Sequence, residues 1–144
     1  MRHFLGILFF LGLSFATRAG ETANLTGSWA NAANAFGVFS LNLTQTGNRL
    51  QGYHGAIALR GKRIDAVLPS EGPPSIIGTI SGNVAHVRFR SGYDEHGHGE
   101  ATLTLRDHQL VWEITKSTGT HYLPTSAVLS RQKTPRAESS KHAS

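Results

Sequence analysis

Cysteine is absent from the 144 residues of this sequence. That absence excludes disulfide bridges, a lipid-modified cysteine anchor and a thiol nucleophile. A small domain without disulfide bridges must obtain its stability from a hydrophobic core. The chain is long enough to form one such core, because single domains are commonly about 100 to 150 residues long.

Long hydrophobic runs are also missing, apart from one near the N-terminus. Residues 4–13 form a continuous apolar run, which is shorter than the ~20 residues that a membrane-spanning helix needs. A basic start precedes this run and small residues follow it, with Ala16 and Ala19 as candidate cleavage positions. The pattern predicts a secretory signal peptide over residues 1–19, and therefore a periplasmic or secreted protein without an integral membrane span.

An excess of charge of one sign is missing from the predicted domain. The whole sequence has a formal net charge of +5, but residues 20–130 contain eight Lys or Arg and eight Asp or Glu. Nucleic-acid binding needs a concentrated basic face, so we expect no nucleic-acid partner. Residues 131–144 are polar and without periodicity, and we expect them to be a disordered tail beyond the single folded domain of residues 20–130.

Local signatures of catalysis are missing as well. The sequence contains no Gly-x-Ser-x-Gly elbow, no His-Glu-x-x-His and no glycine-rich phosphate loop. No pair of carboxylates stands out as an acid and base for hydrolysis. We therefore expect a protein that is not an enzyme and that holds no organic cofactor.

Helical spacing of apolar residues is absent, whereas sixteen glycines and alternating apolar residues favour short strands with tight turns. Residues 75–90 show this pattern best. With Gly82 and Asn83 at the centre of a turn, outward pairing collects apolar residues on one face and mostly polar residues on the other. The apolar face holds Ile76, Gly78, Ile80, Ala85, Val87 and Phe89.

The same pairing works around two further turns, Gly47-Asn48 and Asp107-His108. The chain then reads as eight or nine strands in hairpin order. We predict an all-β fold, an antiparallel up-and-down meander barrel of about eight strands, because closure buries one face and removes open edges. A two-sheet β-sandwich of the same strands is the alternative.

His54 is a polar residue at a predicted core position. The register around Gly47-Asn48 places it on the apolar face together with Leu41 and Ala56. A buried imidazole needs hydrogen-bond partners. In a barrel lumen the partner could be a bound ligand, and a backbone carbonyl or a water molecule could equally satisfy a structural histidine.

The densest polar cluster is residues 93–100, Tyr-Asp-Glu-His-Gly-His-Gly-Glu, and most of it lies in a Gly- and His-rich connection over residues 91–99. In an extended chain, the spacing of His96 and His98 points both imidazoles in the same direction, and zinc or copper binds such ligands. A third ligand would have to come from elsewhere. The glycines predict a mobile loop, and the alternative interpretation is a solvated loop whose histidines bind nothing.

Two short segments resemble a known family. Residues 25–31, Leu-Thr-Gly-Ser-Trp-Ala-Asn, are similar to the opening of the avidin family, in which Thr-Gly-x-Trp leads to an Asn. Residues 50–56 resemble the Leu-x-Gly-x-Tyr-x-Ser strand of that family. More loosely, the region is similar to lipocalins and other calycins. The resemblance implies a barrel with a ligand pocket.

The resemblance also implies which side chains line that pocket. Asn31 keeps the identity that the avidin family has at this position, and Trp112 lies in a segment similar to the strand that bears a pocket Trp. His54 stands where the family has Tyr, and Ala56 stands where it has Ser. These two positions would therefore not make the family's contacts to biotin.

The leading functional hypothesis is an exported, non-enzymatic barrel that binds a small, partly apolar molecule in its lumen. Asn31, His54 and Trp112 would line the site. Tyr93 and Tyr122 would lie at its mouth. The sequence leaves the identity of the ligand and the oligomeric state open.

Two alternatives belong to other functional classes. In the first, a periplasmic inhibitor or immunity protein blocks an enzyme by inserting residues 91–99. In the second, a metal-binding protein holds zinc or copper with His96 and His98. The sequence does not decide among the three hypotheses.

Overall fold

The structure is a computed structural model that describes residues 21–133. It confirms the predicted all-β class, with nine strands and a single turn of 3₁₀ helix at Pro69–Glu71. Within the described range, no helix has the length and apolar character needed to cross a membrane. The strands are β1 (Gly27–Ala30), β2 (Gly37–Thr46), β3 (Arg49–Ala58), β4 (Arg63–Ala66), β5 (Ile76–Ser81), β6 (Val84–Arg90), β7 (His98–Arg106), β8 (Gln109–Thr118) and β9 (Ser126–Arg131).

Eight of these strands form a closed barrel. From β5 to β9 each strand pairs with the next one along the chain, and β9 then pairs with β1. The ring closes through the pairings of β1 with β2, β2 with β3, and β3 with β5. All pairings are antiparallel and the connections run up and down, which confirms the predicted meander barrel rather than the two-sheet alternative.

The ninth strand, β4, lies along the same edge of β3 as β5. It pairs with the second half of β3, where Gly55 is opposite Ala66, whereas β5 pairs with the first half, where Gly52 is opposite Ile76. Both strands run antiparallel to β3. They therefore act as one barrel strand that is interrupted by residues 67–75.

The three hairpin turns confirm the predicted registers. Thr46 pairs with Arg49, Ser81 with Val84, and Arg106 with Gln109. Two-residue turns of this kind need positive φ at their centre. Gly47 and Gly82 adopt φ values of 61° and 60°, and the Asp107-His108 turn accepts 47° and 65°.

The alternation along each strand sends apolar side chains into the barrel. In the interior, the ring of Trp112 packs against the rings of Phe39 and Phe89, with ring centroids 5.2 and 5.8 Å apart. These contacts fill the interior with side chains. The most deeply buried large residues are Leu25, Trp29, Phe39, Leu41, Leu50, Ile76, Leu103, Leu110, Trp112 and Leu129.

The two ends of the barrel differ. At one end the connections are the three two-residue turns, and buried Leu25 closes that end, its carbonyl accepting a 3.0 Å hydrogen bond from Trp29 Nε1. Arg131 lies 4.3 Å from the centroid of the Trp29 ring. The opposite end, called the loop end below, carries residues 31–36, 59–62, 67–75, 91–97 and 119–125.

The last strand crosses the predicted boundary between the domain and the tail. β9 includes Arg131, which pairs with Trp29, so the sheet extends into the range predicted as tail. The predicted signal peptide and the tail from residue 134 onward lie outside the described residues.

Candidate functional site

A buried carboxylate lies at the loop end of the barrel. Asp65 is on β4, opposite Ala56 of β3, and alternation along β4 points its side chain inward. Asp65 is fully buried, whereas its neighbour Ile64 is 62% exposed. A buried carboxylate destabilises the folded protein unless it is paired and hydrogen-bonded. The partners of Asp65 therefore determine which segments are held together at this end.

Asp65 accepts four hydrogen bonds, two on each carboxylate oxygen. Oδ1 accepts from His54 Nε2 at 2.9 Å and from the Gly92 amide at 2.7 Å. Oδ2 accepts from the Ser91 hydroxyl at 2.6 Å and from the Tyr122 amide at 2.9 Å. The Asp65 side chain therefore connects β3 and β4 to residues 91–97 and to residues 119–125.

His54 extends this network to a further segment. Its Nδ1 lies 2.8 Å from the Ser75 hydroxyl, which also accepts the His54 backbone N–H at 3.2 Å. Since the ionised carboxylate of Asp65 can only accept, His54 Nε2 must carry a proton. In the tautomer that carries one proton, on Nε2, Nδ1 accepts a hydrogen bond from the Ser75 hydroxyl. Residues 67–75 are thereby joined to the same centre.

The hydrogen bonds keep Asp65 ionised despite its burial. Burial raises the pKa of this carboxyl, but the hydrogen bonds from His54, Ser91, Tyr122 and Gly92 outweigh it and lower the pKa to about 2. Asp65 is therefore a fixed negative charge at neutral pH. Its charge-assisted hydrogen bonds are stronger than neutral ones.

Ser75, His54 and Asp65 are residue types that also serve in nucleophilic catalysis, but here all three are buried. Ser75 is 2% exposed, His54 is 3% exposed and Asp65 is fully buried, so a substrate has no path to the hydroxyl. A nucleophile must lie where a reacting atom can approach it. We assign the three side chains to holding the loop end together.

Residues 91–97, called the His loop below, are held by hydrogen bonds of their own. The Ser91 amide donates to the Gly97 carbonyl at 2.7 Å, and the Gly97 amide donates to the Asp94 carbonyl at 2.9 Å. The Ser91 hydroxyl accepts the amides of Tyr93 at 3.0 Å and Asp94 at 3.3 Å. The loop is thus cross-linked from end to end.

Asp94 anchors the outer part of the His loop. Its carboxylate accepts the His96 amide at 3.0 Å and the Thr120 amide at 3.3 Å. The His96 backbone hydrogen bond contributes most to lowering the pKa of Asp94. A Cβ on Gly97 would lie 1.9 Å from the Thr120 carbonyl oxygen, so this glycine permits close packing. Gly92 is packed in the same way, because a Cβ there would lie 2.0 Å from the Ala66 carbonyl oxygen. The glycines of this loop therefore serve close packing, and its mobility stays a prediction.

The outward side chains of the loop end form an aromatic and charged surface. Tyr93 is half exposed, and its ring meets that of Tyr122 edge-on at 4.8 Å between centroids. The Arg63 guanidinium lies 6.0 Å from the Tyr122 ring. The side chains of His96 and Glu95 are 80% and 87% exposed. These five residues are called the loop-end surface below.

The sequence-predicted site residues divide into two groups. His54 and the backbone of Tyr122 bind Asp65, and Tyr93 packs on Tyr122, so these three belong together. Asn31 and Trp112 have partners outside that network. Asn31 Oδ1 accepts the Phe39 amide at 2.7 Å, and Trp112 Nε1 donates to the Pro124 carbonyl at 2.9 Å.

The two histidines predicted to bind metal do not lie in one extended run. His96 is in a turn, while His98 begins β7 and its Nδ1 lies 3.0 Å from the His96 carbonyl. Over residues 21–133, no three His, Cys, Asp or Glu side chains are grouped so that they could hold one metal ion. Zinc or copper binding stays a prediction that needs a further ligand.

Three cavities of the described chain lie on its outside. One of about 690 Å³ lies on the outer wall along β5, and one of about 370 Å³ lies on the wall between β6 and β8. A third, of about 380 Å³, lies beside the His loop and is lined by Glu71, Arg90 and Glu95, among others. These concavities, rather than the filled interior, are where a partner could bind.

Sequence reasoning missed Asp65, Ser75 and Ser91. A signal was available for Asp65, because it is the only acidic residue between Arg49 and residue 70, on a short apolar strand. Ser75 and Ser91 carry no comparable signal. Their roles depend on where two loops meet β4, and hairpin pairing does not determine that meeting point.

Comparison with known proteins identified no relative. No protein-family model matches this chain, and neither the curated proteins nor the solved structures gave a match. The closed eight-stranded barrel is consistent with a calycin-like fold. The finer resemblance to the avidin family stays a prediction.

Proposed function

We propose that this protein is an exported binding domain that recognises a protein partner with its loop-end surface, as an inhibitor or immunity protein does. The observation that carries the proposal is the hydrogen-bonded state of the His loop. Its backbone is tied to Asp65 and Asp94, while Tyr93 and His96 face solvent. A loop that is fixed before binding loses little conformational entropy on association.

The chemistry of the loop-end surface supports a protein partner. Tyr and Arg are enriched among the interface residues that contribute most to the affinity of protein complexes. At this end, the Tyr122 ring meets the Tyr93 ring edge-on, and the Arg63 guanidinium lies over the Tyr122 ring. Glu95 and His96 add exposed polar groups at its rim, where complementary charge guides the partner into register.

The packed interior favours this hypothesis over a small ligand in the lumen. Trp29, Phe39 and Trp112 are at most 1% exposed, and the ring of Trp112 contacts aromatic side chains. A small ligand would have to displace such side chains from a closely packed core, and their packing contacts would be lost. A partner at the loop end displaces none of them.

Affinity capture from periplasmic or secreted extract, followed by titration of the purified partner, tests the proposal. Tyr93→Ala should weaken binding at least tenfold, because it removes an exposed aromatic anchor. His96→Asn should weaken it less. His108→Asn is the matched control, since it lies in a turn at the opposite end and Asn tolerates the positive φ of 65° found there.

Two outcomes would overturn the proposal. One is a captured protein whose affinity is the same for wild type, Tyr93→Ala and His96→Asn. The other is a small molecule that native mass spectrometry finds bound to the purified protein and that Trp112→Phe displaces, because this result would return the binding site to the lumen. Retention of the partner by His108→Asn but not by Tyr93→Ala would support the proposal.

A further inference from the structure

The outer wall of the barrel carries a trough that is separate from the loop end. It has a volume of about 690 Å³, within the range of about 300–1,000 Å³ typical of small-ligand sites. Its floor is β5, and its walls are side chains of β3 and β6. The lining residues are Thr46, Arg49, Leu50, Gln51, Ile77, Gly78, Thr79, His86 and Arg88.

The trough follows from the strand registers. Across the outer face, Thr79 of β5 lies between Arg49 and His86. One step along, Ile77 lies between Gln51 and Arg88. Neighbouring strands are about 4.8 Å apart, so the two walls stand about 10 Å apart over a floor of shorter side chains. Long side chains on both walls can reach one ligand between them.

The trough is positively charged and its charges are unpaired. No lining residue is acidic, and Arg49 and Arg88 stand on opposite walls. Every ion pair closer than 4.0 Å within residues 21–133 involves a histidine, so neither arginine has a carboxylate partner there. Arg88 is opposite Glu100 in the register of β6 and β7, yet the two side chains make no ion pair.

The floor adds an apolar contact. Ile77 is 47% exposed between polar walls. The hydroxyl of Thr79 and the amide of Gln51 add hydrogen-bonding groups beside it. An arginine guanidinium matches the geometry of tetrahedral and carboxylate oxyanions with two parallel N–H donors. The set of groups suits an anion that is attached to a less polar carbon skeleton.

We propose that this trough binds a small ligand bearing a phosphate or sulfate group, with the oxyanion between Arg49 and Arg88 and the carbon skeleton over Ile77. The site lies on the side wall, so it is independent of the loop-end surface and of its partner. The ligand class is defined by the tetrahedral oxyanion. The free ion and a sulfated or phosphorylated sugar both present it.

Isothermal titration calorimetry of the full chain tests the proposal with two probes, inorganic phosphate and a sulfated disaccharide prepared from heparin. Arg49→Gln and Arg88→Gln should each weaken binding at least fivefold, and the double variant should abolish it. The control is Arg106→Gln, an exposed arginine on β7 beside the Asp107-His108 turn. It should bind both probes as wild type does.

The two probes separate the sources of the oxyanion. Phosphate binding that equals disaccharide binding assigns the site to the free ion. If the disaccharide binds more tightly than phosphate, and Ile77→Ser removes this advantage without weakening phosphate binding, the natural ligand is a sugar derivative. Absence of binding of both probes at millimolar concentration would overturn the proposal, and so would an equal loss in Arg106→Gln.

Discussion

Inside the loop end of this barrel, His54 Nε2 donates a hydrogen bond of 2.9 Å to Asp65 Oδ1, with both side chains shielded completely from solvent. His54 comes from an uninterrupted barrel strand, and Asp65 comes from the extra strand β4. The same carboxylate accepts hydrogen bonds from the His loop and from residues 119–125. This pair therefore connects the rigid barrel to the surface proposed to bind a partner.

Replacing Asp65 by Asn should destabilise the protein by about 3 kcal/mol, because removing a buried carboxylate that accepts four hydrogen bonds leaves buried donors without partners. Asn has one acceptor oxygen and an NH₂ that cannot accept, so two of the four donors lose their acceptor. Urea unfolding measures the change. Asp107→Asn, at an exposed turn, is the matched control and should change stability by less than about 0.5 kcal/mol.

The pH dependence of stability should report the same carboxylate. The folded-state pKa of Asp65 is about 2, below the unfolded value of about 3.9, so its contribution is fully present above about pH 5. About 2 kcal/mol should be lost as the pH falls from about 5 to about 2. Asp65→Asn should lose less stability over this range. Parallel curves for the two proteins would contradict the assignment.

The close packing of the His loop predicts a cost for adding a single methyl group. In Gly97→Ala the new Cβ would lie 1.9 Å from the Thr120 carbonyl oxygen, so the backbone must move. We expect a loss of about 2 kcal/mol, typical of an overpacked site, and weaker binding of the partner. Gly47→Asn is the control, because nothing lies within 4 Å and Asn tolerates its φ of 61°.

A stabilising substitution is predicted at Leu59. This residue has a φ of 53° in the turn between β3 and β4, a conformation that is strained for a bulky side chain, and it is 56% exposed. Leu59→Asn should raise stability by about 0.5–1 kcal/mol because Asn accepts this conformation at less cost. Ile64→Asn, at a similarly exposed aliphatic residue of β4 whose φ is not positive, should bring no gain. Equal changes in melting temperature would refute the strain argument.

The parts of the fold that depend on neighbouring residues could be predicted from the sequence. The Gly82-Asn83 turn and the alternation beside it lie within a few residues of one another, so the register followed from local chemistry. The burial of His54 followed in the same way. Barrel closure was inferred because eight hairpin strands need their edges paired.

The partners of His54 could not be predicted, because they come from distant parts of the chain. Tyr122 donates to Asp65 across 57 residues, and Gly92 does so across 27. Hairpin pairing determines the order of the strands but not how the loops that join them meet. The hydrogen bonds of the His loop to Asp65 and to residues 119–125 depend on how those loops meet, and its glycines alone did not indicate them.

Amide hydrogen exchange in Asp65→Asn, measured beside wild type and Asp107→Asn, tests most directly whether the buried carboxylate holds the proposed binding surface in place. We predict that the Gly92 and Tyr122 amides, which donate to Asp65, and the Gly97 amide of the His loop exchange at least tenfold faster in Asp65→Asn. Asp107→Asn should match wild type. Unchanged protection of all three amides in Asp65→Asn would contradict the account.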